Sequence, residues 1–209
     1  MRFDYQLLNN WWLGAAVMAV VAVSDYALTL WGARLFRESQ GHITIEGSYE
    51  TVPLFERDIN AGRLISVRFL IVLIVMVGII GIAAKFRQAM EIDDRLYLFL
   101  TGFLILIEVP IHVRHMSNIV RYSLLRHPDA AEGKLTYTRW YVLRISSVDF
   151  FSFSGLFWLG YAGTGSWFVL GGALRCVLFG AFQLVLSWKA GGRTRNRKRG
   201  GIRVGDGVG

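Results

Sequence analysis

One cysteine, three prolines and four histidines are scattered through 209 residues. Cys176 on its own excludes an intrachain disulfide, a zinc site built from several cysteines and a dithiol redox pair. His42, His112, His115 and His127 are too few for the repeated histidine boxes that membrane desaturases and hydroxylases use. A bis-histidine haem in a bundle takes its ligands from facing helices, whereas His112 and His115 share one segment, so haem would need an oligomer interface. No serine lies in a G-x-S-x-G setting, no phosphate-binding glycine loop occurs, and the helical H-E-x-x-H order is missing. Charge is also scarce, at 18 % of residues, and it is lopsided: 15 acidic against 23 basic side chains leave a net charge of +8.

What fills the chain instead is apolar sequence. Hydrophobic residues make up 54 % and mean hydropathy is positive, both above the usual range of a soluble domain. They fall into five runs of roughly 20 residues, the length a helix needs to cross about 30 Å of hydrocarbon. The runs are Trp11 to Ala33, Ile65 to Ala84, Leu96 to about His115, Tyr141 to about Gly163, and Ser166 to Trp188. Lipid offers backbone groups no hydrogen-bond partner, and the alternating strands of a barrel are lacking, so each run is predicted to be a helix. The fold expected is an all-α integral membrane bundle of about five spans, residues 1–189, followed by a basic, disordered tail, residues 190–209. The last two spans are joined by Thr164-Gly165 alone, a tight helical hairpin. Span three should continue as a helix until His127-Pro128, and span two can begin as early as Pro53.

Basic residues set the orientation. Segments 34–64, 114–139 and 189–209 hold 4, 5 and 7 Lys and Arg, against 1, 3 and 0 in 1–10, 85–95 and 164–165. The richer set belongs in the cytoplasm, which puts the N-terminus outside and the tail inside, as in a bacterial-type inner (plasma) membrane. The excess charge is therefore explained by orientation, with anionic lipid as a further partner of the tail, and nucleic acid is not called for. Arg2 is offset by Asp4 and the apolar run from Trp11 is long, so the first span is expected to be uncleaved. Trp11, Trp12, Trp31, Trp140, Tyr141, Trp167 and Trp188 fall near span ends, where amphipathic rings favour the headgroup layer.

Ionisable side chains inside the spans are costly in lipid and therefore single themselves out. Asp25, Arg68, Glu108, His112, Arg144 and Asp149 all fall between mid-membrane and the cytoplasmic side, with His115 at the boundary, so they are expected to line a shared inward-facing pocket or ion path. The densest patch runs from Glu108 to His115, where steps of four and three residues put Glu108, His112 and His115 on one helical face. Two histidines and a carboxylate can ligate zinc or iron, with Asp25 or Asp149 as a further ligand or base, and Pro110 can free a carbonyl beside that face. The plainer reading is structural pairing: Glu108 with a neighbouring arginine, Asp25 with Arg68 or Arg144, and Asp149 with Arg175 across the hairpin.

Ser24 and Thr29 flank Asp25 in a small polar stripe, and Ser146, Ser147, Ser152 and Ser154 make the first half of span four unusually polar, so both should face protein. Gly155, Gly160, Gly171, Gly172 and Gly180 read as points of close helix approach. Loop 34–64, with a short strand or turn from Ile43 to Glu50, reads as an ordinary solvated connection on the pocket's side. Function is expected to be the handling of an ion or small solute by a homo-oligomer or complex subunit. The alternatives are a metal-dependent membrane enzyme acting on a lipid or isoprenoid, and a scaffold or assembly subunit that works through its loops and tail.

Overall fold

A computed structural model of the chain describes residues 2–39, 43–45, 53–90, 93–127, 133 and 135–201, with residues 2, 43, 45, 53, 54, 135 and 193–201 described by backbone. In chain order the elements are α1 (Arg2–Asn9), α2 (Leu13–Glu38), β1 (Ile43–Ile45), α3 (Pro53–Asn60), α4 (Val67–Met90), α5 (Asp94–Ile105), α6 (Glu108–Leu124), β2 (Leu135–Tyr137), α7 (Arg139–Thr164) and α8 (Trp167–Gly201). The protein is all-α, and α2, α4, α5 continued by α6, α7 and α8 provide five segments long and apolar enough to span a membrane. α4 shows the reason most directly: Val67, Ile71, Ile74, Val75 and Ile82 are all exposed, a surface that only hydrocarbon solvates well.

The spans run longer than expected at their ends. α2 reaches Glu38, and α8 continues without a break from Trp188 to Gly201, so the first part of the basic segment is helical where disorder was expected. The remainder, 202–209, lies outside the described residues, as do His42, Pro128 and 46–50. Pro53 does start a helix, but α3 is separate from span two: Gly62, at φ 64°, turns the chain, and the Ser66 hydroxyl accepts from the Phe69 amide (3.2 Å) to open α4.

α5 and α6 form one span with a fault in the middle. Pro110 has no N–H for the Leu106 carbonyl, and the Val109 amide takes that carbonyl instead at 3.2 Å, so the helix breaks at Leu106 and Ile107. α8 packs against both α7 and α5. It meets α5 where a Cβ at Gly171 would strike the Phe99 carbonyl and a Cβ at Gly102 the Phe168 carbonyl, so only glycine lets these backbones approach. Gly172 is likewise confined, by Leu106, whereas Gly155 faces open space and does not serve packing. The α7–α8 hairpin turns at Gly165, whose φ of 66° caps α7 with its amide on the Tyr161 carbonyl (2.7 Å).

The connections sort to opposite ends. At one end Ser166 donates to Asp4 (3.0 Å), and Arg87 joins Asp94 (2.7 Å) and the Leu8 carbonyl. At the other, Glu38 pairs with Arg126 (3.1 Å), β1 and β2 form a parallel strip with Thr44 opposite Thr136, and Ser187 donates to the Trp140 carbonyl (2.9 Å). These are the two loop sets that the basic-residue counts separate. Along α2 the apolar core is interrupted: Met18 and Ala22 belong to one cluster, Leu35 and Phe36 to another, and the polar stripe from Ser24 to Thr29 lies between them.

Candidate functional site

That stripe faces α6. Asp25, Glu108 and His112 each offer a ligand atom within 4.8 Å of the others. The turns of α2 place Ser24, Asp25 and Thr29 on one side, and those of α6 align Glu108, His112 and His115 opposite them, so two polar ladders zip together inside the bundle.

His112 is held at both nitrogens. Its Nδ1–H donates to the Glu108 carbonyl (2.7 Å), which leaves Nε2 facing Ser24 Oγ, also at 2.7 Å. His115 Nε2 lies 3.1 Å from Asp25 Oδ1 and 3.1 Å from Thr29 Oγ1, while its Nδ1 is buried and without a partner. Glu108 is only 9 % exposed, and its Oε2 has no hydrogen-bond donor; Asp25 Oδ1 has none in good hydrogen-bond geometry either. Two carboxylates this close repel unless a proton or a metal ion stands between them. Arg175 is within electrostatic reach of Glu108, but its guanidinium lies over the Phe103 ring (4.8 Å) and closes no ion pair with the carboxylate.

The six residues expected to share one pocket are thus divided. Asp25, Glu108 and His112 come together. Arg68 is exposed at the start of α4 and acts electrostatically on Asp58, at the α3–α4 corner. Arg144 is exposed on α7, so neither arginine pairs with Asp25 in the way the plainer reading required. Asp149 lies on the other side of α6, in the field of Arg114 and Arg121, and the expected pair with Arg175 is not formed: the electrostatic neighbours of Arg175 are Cys176 and Glu108. In the suggested metal set, His115 is displaced by Asp25, which it supports from behind.

A second cavity, of about 550 Å³, opens between α6 and α7. These helices barely touch, because α6 packs on α2 and α7 on α8. Ser146, one of the serines that made span four polar, accepts from Arg114 across the gap, and Ser154 secures the hairpin by donating to the Ala173 carbonyl (3.0 Å). His115 belongs to both features, lining this groove on one side and meeting Asp25 on the other.

Comparison with protein-family models, curated proteins and solved structures finds no match. The reading of the site therefore rests on its own geometry. The polar stripes were legible from spacing, and what spacing did not contain was the pairing of α2 with α6. Arg114 and Arg121 carried no signal beyond flanking charge, since only the gap between α6 and α7 makes them groove residues.

Proposed function

We propose that this is a membrane protein of the bacterial inner-membrane type that handles a metal cation at the Asp25–Glu108–His112 centre, reached from the cytoplasmic side. The observation that carries the reading is Glu108 Oε2, buried without a donor, close to Asp25 Oδ1, which has no well-formed hydrogen bond, and to a histidine whose ring is already oriented. Two oxygens and an imidazole nitrogen suit zinc or ferrous iron, and a ligating histidine characteristically gives its other N–H to a carbonyl, as His112 does to Glu108. His115 Nε2, 3.1 Å from Asp25 Oδ1, stands beside the carboxylate as an ion-pair partner when protonated. Ligand atoms around a tetrahedral zinc stand roughly 3.3–3.6 Å apart, so the three ligand atoms, all within 4.8 Å of one another, would draw together by up to roughly 1.5 Å on binding. Cytoplasmic access rests on the distribution of Lys and Arg among the loops.

A second reading makes the same centre catalytic, acting on a lipid, and it is favoured by the wall that His115 shares with the α6–α7 groove. Both readings require the cation. Purified protein, stripped with a chelator and titrated with cobalt, should bind one ion with the visible absorption of nitrogen and oxygen ligation. His112→Ala and Asp25→Asn should each weaken binding at least about tenfold, the lower bound for disturbing even a supporting residue. His127→Ala, exposed at the end of α6, should leave it unchanged. Equal cobalt binding in all four proteins would refute the centre. With binding established, ion flux in liposomes that is lost in Glu108→Gln favours transport, and binding without flux favours the catalytic reading.

A further inference from the structure

The groove between α6 and α7 carries compensated charge at depth and uncompensated charge at its loop end, and the cation centre does not use it. Each wall is a helical ladder: Pro110, Arg114 and Arg121 on α6 and Tyr141, Ile145 and Asp149 on α7. At the deep end Arg114 donates to Ser146, lies over the Phe150 ring (5.9 Å) and acts electrostatically on Asp149. Arg121 is seven residues further on, about 10 Å up the helix axis towards the loop end. Two arginines against one aspartate leave a single surplus positive charge, and it sits at the rim. Stacked there are the rings of Tyr137 and Tyr141, 5.5 Å apart, with Asn118 and Ser117 alongside as further polar groups. Below the rim an apolar strip of Val113, Ile145 and Phe153 runs beside the Arg114–Ser146 bond, and Val113 and Ile145 are about half exposed.

We propose that this groove is a lateral binding site for a singly anionic phospholipid, its phosphate at Arg121 and one acyl chain descending past Val113, Ile145 and Phe153. A cavity of about 550 Å³ is of the size that takes a headgroup and the start of a chain. Arginine at the rim gives the phosphate a forked donor, and the tyrosines lie at the level that headgroups occupy. The site does not rest on the cation reading, because none of Asp25, Glu108 and His112 lines it.

The test is native mass spectrometry of the full-length protein in mild detergent, titrated with dioctanoyl phosphatidylglycerol, with dioctanoyl phosphatidylcholine, or with inorganic phosphate. One saturable phosphatidylglycerol adduct is expected, at least fivefold tighter than phosphatidylcholine and not displaced by equimolar phosphate. Arg121→Gln should weaken it roughly tenfold, the loss of one charge-assisted contact. Val113→Trp, which fills the apolar part at an exposed position, should weaken it comparably. Arg34→Gln, an exposed arginine at the same end of the bundle that pairs with Glu38, should leave it unchanged. His112→Ala should leave it unchanged as well, which separates this site from the cation centre. Equal binding of the two lipids, full competition by phosphate, or undiminished adduct in Arg121→Gln or Val113→Trp would overturn the proposal.

Discussion

Ser24 Oγ stands 2.7 Å from His112 Nε2 and 2.8 Å from the Val21 carbonyl, and it has one proton for the two. With the proton on the imidazole side, His112 is neutral and its Nε2 lone pair is occupied. With the proton on the carbonyl side, Nε2 is free for a cation or must itself be protonated. The hydroxyl therefore competes with any metal for the only nitrogen lone pair in the centre. Ser24→Ala should tighten cobalt binding, by roughly two- to tenfold for the loss of one neutral hydrogen bond. Weaker binding in this variant, read by the same absorption titration, would mean that Ser24 is a ligand and not a competitor.

The two carboxylates predict opposite signs for binding and stability. Glu108→Gln removes a buried carboxyl that crowds Asp25 and lacks a partner on Oε2, so the metal-free protein should melt at a higher temperature in detergent than the wild type. Cation affinity should fall at least about tenfold in the same variant. A lower melting temperature without metal would show that Arg175 already compensates Glu108.

Close approach at the α5–α8 crossing leaves no room for a side chain. Gly171→Val would drive a branched side chain into the Phe99 carbonyl, which belongs to backbone and cannot rotate away. The expected cost is about 1–3 kcal/mol or more, measured as a shift in the denaturant midpoint. Gly155→Val, in open space, serves as the control and should be close to neutral.

At the α3–α4 corner the dependence is on pH. The Ser66 hydroxyl donates to Asp58 Oδ2 (2.5 Å) and Arg63 lies 3.1 Å from Oδ1, with Arg68 and Arg57 adding to the field. These hold the Asp58 carboxyl below its ordinary 3.8, the Ser66 bond first among them. A depressed value means that the folded corner favours the ionised form. Its stabilisation is complete above 3.8 and disappears as pH falls through the lower folded-state value. Amide exchange in α3 should accelerate across that window. In Ser66→Ala exchange should already be faster at neutral pH, and the further acceleration on acidification should be smaller and end closer to 3.8. An acid-induced acceleration as large in the variant as in the wild type would contradict the assignment.

Much of this architecture was readable in advance, because lipid permits so few solutions. Twenty apolar residues in a row must be helical, and Thr164-Gly165 leaves room only for a hairpin. The steps from Glu108 to His112 and His115, and from Asp25 to Thr29, were equally plain, since helical period is a local property. Which stripe meets which depends on packing between segments more than 80 residues apart, to which a single sequence holds no guide. Asp149 and Arg175 illustrate the failure: hairpin neighbours by count, they have different electrostatic partners, Arg114 and Glu108 respectively. The helix past Trp188 shows a different limit, since in a strongly basic, glycine-bearing segment composition has little power to separate helix from coil.

The three-residue strip of β1 and β2 has a mechanical consequence. It stitches the segment after α2 to the segment before α7, and the Glu38–Arg126 pair fastens the same corner. The backbones of α6 and α7 stand apart, bridged at depth by Arg114, which bonds Ser146 and lies over Phe150. The gap between them is thus spaced at its rim like a purse whose clasp lies in the loops, with the Arg114–Ser146 bond as its hinge, and a pull on either strand changes how wide the mouth opens.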